Sequence, residues 1–347
     1  MYSTFRFAAE DGTSLVGWTN HGDGPNVIIA NGLGVPPEAW PRFLDSKCGY
    51  NVYSFNHRGA FGSESPKNPD AIRIDDYVSD TVRLMDYAGI KDAIFVAWSY
   101  GVNVTVEMAK RYPERVAGMV LIAGVGGGTL EAGFAPFVPK PLRKPTGIAV
   151  ANAGRTAAPL LNVLAEVAPK NRQAVEALQS VGLIRPEANP DDIVPWLKAF
   201  AQSDFGWYFN MFPAAGEHEK VDPSFIDVPA AVAAGKLDGM TSWMDVVDFG
   251  EQIPNAEVHV FPATHMLPLE YPDEVLRMTD SVTTKSRLAE PQITKRHRWN
   301  SLKARKARAA AEEQAAAKKA GETKVKAAAK PSTPVSKVKT AKRKRSS

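Results

Sequence analysis

The chain has one cysteine, Cys48, among its 347 residues. A single thiol excludes any disulfide framework within the chain and fits a reducing compartment. Set in "DSKCGYNV", just ahead of an expected strand, it reads as structural rather than reactive. No stretch reaches the roughly 18 consecutive apolar residues of a membrane-spanning helix. The opening "MYSTFRFAAEDGTSLVGW" lacks the basic segment and apolar run of a secretory leader. It alternates instead like two short strands about Asp11-Gly12. The simplest expectation is a soluble cytoplasmic protein. "GVGGG" at 124–128 lacks the GK[ST] ending of a phosphate loop. No metal-ligand cluster or cofactor motif is legible, so neither a metal nor a cofactor is expected.

What is present begins with a hydrophobic fraction of 44%, enough for a core and too much for a wholly disordered chain. The net charge of +4 hides a division. Residues 285–347 carry 20 Lys and Arg against 4 Asp and Glu, or +16; the remainder carries 22 against 34, or −12. An acidic body with a basic tail suggests an arm for a non-specific anionic partner, nucleic acid or acidic lipid. The tail is dominated by Ala and Lys, with Trp299 and Leu302 its large apolar residues after about 295. It is expected to be partly helical and otherwise disordered.

Strand signals at 26–32, 50–56, 92–98, 117–124, 228–235 and 256–263 alternate with helical spacing at 74–89, 101–112, 240–253 and about 272–282. "EAWPRFLD" (38–45) reads as a further short helix. Buried strands separated by helices imply a mostly parallel sheet covered on both faces. From 125 to 227 the strand signal stops. Helix-like stretches stand there at 154–170, 171–182 and 189–202, with a crowd of aromatics between Phe134 and Phe212. The expected organisation is a core of 1–124 and 228–284, a helical cap at 125–227 over the carboxyl edge of the sheet, and the tail at 285–347.

"AIFVAWSYGVNV" (93–104) places Ser99 at the corner where a strand turns directly into a helix. Small residues at −2 and +2, here Ala97 and Gly101, mark a nucleophile elbow, usually written G-x-S-x-G. A serine hydroxyl needs a base. Of the six histidines, His265 follows a late strand directly, in "ATHMLPLEYPDE", on the sheet edge where ligands bind. Asp238, in "VAAGKLDGM", follows another strand at the same edge. Three plainer readings stay open: Ser99 as a helix cap, Asp238 as a turn residue with Asp245 or Asp248 in its place, and His265 as a packed structural histidine.

With these residues in order, the chain resembles the capped serine α/β-hydrolases, in the esterase, haloperoxidase-like and carbon–carbon bond hydrolase branch, over about residues 5–284. "NHRGAFGSES" is similar to the family's D-x-R-G-x-G-x-S, with Asn56 for Asp. "NGLG" (31–34) is similar to H-G-x-x, with Asn31 for His. "THMLPLEYP" is similar to G-H-x-x-x-x-E-x-P, with Thr264 for Gly. The resemblance implies an α/β-hydrolase fold with Ser99 as nucleophile, His265 as base and Asp238 orienting the imidazole. It further implies an oxyanion hole from the N–H groups of Leu33 and Tyr100. Trp98, Asn31 and Met266 are expected at the substrate. The implied activity is cleavage of a carboxylic ester or related acyl compound, small to medium and mostly apolar, through an acyl-enzyme. The same residues would serve a carbon–carbon hydrolase or a perhydrolase. A chain that keeps the fold without catalysis, its tail binding nucleic acid or acidic membrane, is the other alternative.

Overall fold

The alternating first residues pair as an antiparallel hairpin, β1 (Ser3–Ala8) with β2 (Ser14–Thr19), turning at Gly12 with φ +82°. The structure, a computed structural model, describes residues 2–134 and 137–289. The expectations for helix and disorder in the basic tail fall on 290–347 and lie outside the described residues. After the hairpin come β3 (Asn26–Ala30), β4 (Asn51–Phe55), α1 (Ile74–Tyr87), β5 (Ala93–Trp98), α2 (Tyr100–Arg111) and β6 (Val116–Ile122). Five helices follow: α3 (Thr129–Ala132), α4 (Lys140–Val167), α5 (Arg172–Ser180), α6 (Pro190–Phe200) and α7 (Phe205–Ala215). The chain then re-enters the sheet through β7 (Ala230–Gly235), α8 (Trp243–Glu251), β8 (Ala256–Phe261), α9 (Leu267–Glu270) and α10 (Pro272–Lys285).

The sheet has eight strands in the order β1-β2-β4-β3-β5-β6-β7-β8, parallel from β4 through β8. Every residue of β5, β6 and β7 is buried, which is why these segments read as unbroken apolar runs. Alternate side chains serve opposite faces. Phe95 and Leu121 pack with residues of α1, α2 and α8, such as Leu84, Val106 and Phe249. Ile94, Val96 and Ile122 pack with Val275, Met278 and Val282 of α10 and with Trp40 and Phe43. The alanines of β7 keep that strand thin enough for helices to approach from both sides.

Two local expectations differ. The segment 38–45 is a single tight helical turn, Pro37–Ala39, followed by turns at Trp40. Its geometry is set by burying Trp40 and Phe43, not by helix propensity. In the insertion, α4 begins well before 154, and α7 is a helix where only aromatic crowding was legible. Gly147, Ala151, Gly154 and Ala158 form the buried stripe of α4. A Cβ on Gly154 would lie 2.5 Å from the Phe209 ring of α7, so this contact requires glycine. Among the described residues no helix is long and apolar enough to cross a membrane.

Candidate active site

The β5–α2 corner is strained. Ser99 sits at φ 57°, ψ −119°, a region that L-residues seldom adopt. Close packing holds it there. A Cβ on Gly101 would stand 1.9 Å from the Ala30 carbonyl oxygen, and one on Gly124 would stand 2.4 Å from the Ser99 carbonyl oxygen. The Ser99 N–H donates to the Ile122 carbonyl (2.8 Å). Although Ser99 precedes α2, its side chain makes no capping hydrogen bond. The hydroxyl is instead 3.1 Å from Nε2 of His265. This geometry disfavours the helix-cap reading.

His265 follows β8, and its Nδ1 lies 2.8 Å from Oδ2 of Asp238. Asp238 follows β7; its other oxygen accepts the N–H groups of Met240 and Thr241, each at 2.8 Å. Asp238 is therefore both a turn residue and the partner of the imidazole, one oxygen for each. Asp245 is engaged elsewhere, with Arg143 at 2.9 Å. Thr264, the departure from glycine, has a local explanation. Its hydroxyl and N–H both donate to the buried carboxylate of Glu270 (2.7 and 2.8 Å), which clips the loop on either side of His265. Trp98 Nε1 donates to the His265 carbonyl (2.9 Å), tying the loop to β5 as well.

Ser99 and His265 open onto a cavity of about 390 Å³. Leu33, Trp98, Tyr100 and Met266 line it, as does Val35. The N–H groups of Leu33 and Tyr100 are not taken up by other hydrogen bonds among the described residues. Asn31 requires a correction. It does not line the cavity: its amide donates to Ser54 Oγ (3.1 Å) and the Phe55 carbonyl (3.0 Å) and accepts from Trp40 Nε1 (2.8 Å). Its hydrogen-bonding groups are spent cross-linking β3, β4 and the 40s segment. The other wall is the insertion, with Leu130, Phe134, Trp196, Phe200 and Phe212. The aromatic crowd signalled this wall collectively, although Phe137 is 79% exposed and Trp207 instead donates to the Arg58 carbonyl. Met240 and Thr241 carried no signal in the sequence; they arrive because Asp238 fixes the turn. No Asp, Glu, Lys or Arg lines the cavity among the described residues.

Beneath the elbow, Tyr77 packs edge-on to Tyr100, and His57 lies 4.5 Å from the Tyr77 ring. Burial pushes the His57 imidazole down to about 4 from its ordinary 6.5. The unfolded chain then binds a proton that the folded chain refuses, so stability falls as pH drops from 6.5 toward 4. A shift of this size corresponds to about 3 kcal/mol. Urea titrations across that range check it: His57→Phe should flatten the acid loss, and an unchanged slope would count against this account.

A strand-to-helix serine, with an imidazole and a carboxylate delivered from the ends of later parallel strands, is the arrangement of α/β hydrolases. A family model described as alpha/beta hydrolase fold matches residues 25–272, and the chain belongs to that family. It is 23% identical over 252 residues to the pimeloyl-[acyl-carrier protein] methyl ester esterase of Vibrio campbellii, covering 72% of this chain and 91% of the relative. An alpha/beta fold family hydrolase from Bacillus anthracis superposes with a TM-score of 0.63 at 16% identity, covering 81% of this chain and 99% of the other. The enol-lactonase of Burkholderia xenovorans does so with a TM-score of 0.58 at 21% identity, covering 81% and 100%.

Proposed function

We propose that the protein hydrolyses a carboxylic ester or related acyl compound, with a small to medium and mostly apolar acyl group, through an acyl-enzyme on Ser99. The observation that carries this reading is the hydroxyl–imidazole–carboxylate chain, 3.1 and 2.8 Å, opening onto an uncharged cavity. The relative named as a methyl ester esterase supports it. Ser99 Oγ attacks the carbonyl carbon while His265 Nε2 takes its proton. The oxyanion of the tetrahedral intermediate accepts from the N–H groups of Leu33 and Tyr100, each worth about 2.7–4 kcal/mol in comparable sites. The ester C–O bond then breaks, and His265 returns the proton to the departing alcohol. Water attacks the acyl-enzyme with His265 again as base, releasing the acid and restoring Ser99. Asp238 holds Nδ1–H throughout and stabilises the imidazolium.

An apolar cavity should reward chain length. Each added methylene buries about 0.8 kcal/mol, so kcat/KM for p-nitrophenyl esters should rise about fourfold per carbon until the space is full. A monoester ending in a carboxylate should be rejected, because nothing in the cavity pairs with it. A flat or falling series from acetate upward would refute the assignment. Trp98 is expected to act as a positioning residue. Trp98→Phe keeps the ring and loses the donor to His265, so kcat should drop about tenfold at unchanged KM. A rise in KM alone would show that Trp98 merely lines the cavity.

A further inference from the structure

Helix α4 has two unlike faces. The small-residue stripe is buried, and Leu142, Leu160, Leu164 and Val167 point the other way with exposures of 55, 61, 50 and 72%. At about 100° per residue these four fall within a narrow sector of the helix, and Ala149 and Ala153 complete the same line. Lys144, Arg155 and Glu166 project from a flank, so the outward stripe carries no charge. Soluble surfaces seldom keep a long apolar stripe bare without a use for it. Val150 joins this face to the site: it is 39% exposed and also lines the cavity.

We infer that the outer face of α4 docks on an anionic lipid bilayer, with the basic tail as a second, electrostatic attachment. Stable attachment to a membrane surface generally takes two signals, one apolar and one basic. The chain carries both: the bare stripe, and the +16 of residues 285–347. Arg287 ties the end of the described chain to Asp92 and the Glu114 carbonyl, at the amino edge of the sheet. The 58 residues beyond Ala289 span at most about 200 Å when fully extended, so chain length does not keep their charge from the membrane that α4 meets. Nucleic acid would match the tail but offer the stripe nothing to bury against. A bilayer matches both, and on the acyl-hydrolase reading it is also where an apolar acyl substrate resides, beside the wall formed by Val150.

The test uses the full chain and reads binding without turnover. Wild type should co-sediment with phosphatidylcholine vesicles containing about a third phosphatidylglycerol, less with pure phosphatidylcholine, and less as salt rises. The double variant Leu160→Glu/Leu164→Glu should lose at least about tenfold in vesicle affinity. Lys342→Gln/Arg343→Gln/Lys344→Gln/Arg345→Gln should weaken the salt dependence. An unchanged circular dichroism spectrum and urea midpoint would show that the α4 variant is folded; should it not fold, Leu160→Gln replaces it. Vesicle affinity untouched by the α4 substitutions would overturn the proposal. So would binding of DNA but not vesicles, or a dimer in sedimentation velocity that the α4 variant dissociates without any vesicle binding. Ser99→Ala should bind vesicles like wild type, so a failure of the hydrolase reading stays separate from a failure of this one.

Discussion

Ser99→Ala should lower kcat on p-nitrophenyl esters by on the order of 10⁶, to the solvent background, with KM little changed. The expectation is this large because in the proposed mechanism the hydroxyl forms the acyl bond, and among the described residues it is the hydroxyl within hydrogen-bond distance of His265 Nε2. His265→Ala should fall nearly as far, and the double variant no further, since the two act as one unit. A fluorophosphonate probe should add its mass to the peptide containing Ser99 in wild type and not in either variant. Turnover by Ser99→Ala equal to wild type would refute the acyl-enzyme outright. Labelling at another residue would move the nucleophile elsewhere.

Arg58→Met should destabilise the fold by about 3–5 kcal/mol, the usual cost of stranding a buried charge. Arg58 is 2% exposed and grips Asp80 with two parallel bonds of 2.8 Å, while a third group reaches Asp11 at 2.6 Å. Burial pushes the Asp80 carboxyl up to about 6 even though Arg58 pulls it down. Without the guanidinium it rises further. A carboxyl raised in this way binds its proton more tightly in the folded state, so the deficit should grow as pH rises and shrink in acid. Urea denaturation at several pH values measures both trends. Arg58→Met/Asp80→Leu should recover most of the loss, since no charge is then left buried. A deficit below about 1 kcal/mol with no pH trend would contradict the account. The consequence reaches the site: Arg58 lies beside His57, which packs against Tyr77 and so supports the ring of Tyr100 behind the elbow.

Much of the sheet was legible because fully buried parallel strands are short apolar runs bounded by turns, and β5, β6 and β7 are of that kind. Ser99, Asp238 and His265 were legible for a related reason. Each stands within four residues of a strand's carboxyl end, and in a parallel sheet all such positions share one edge. The insertion was harder to read. Helix α7 is apolar nearly all round, because one side meets α4 and another faces the cavity, so it shows no helical period. Asn31 was misplaced because its motif position names a loop near the site, whereas its side-chain direction depends on Trp40, Ser54 and Phe55.

Local pattern along the chain was sufficient for the strand-and-helix order, the three residues after strand ends and the division of charge between body and tail. Each is a local property, written in neighbouring residues. Tertiary structure decided which carboxylate oxygen meets the imidazole, what lines the cavity, and which face of α4 is left bare. Those depend on contacts between segments far apart in the chain, and no local pattern records them.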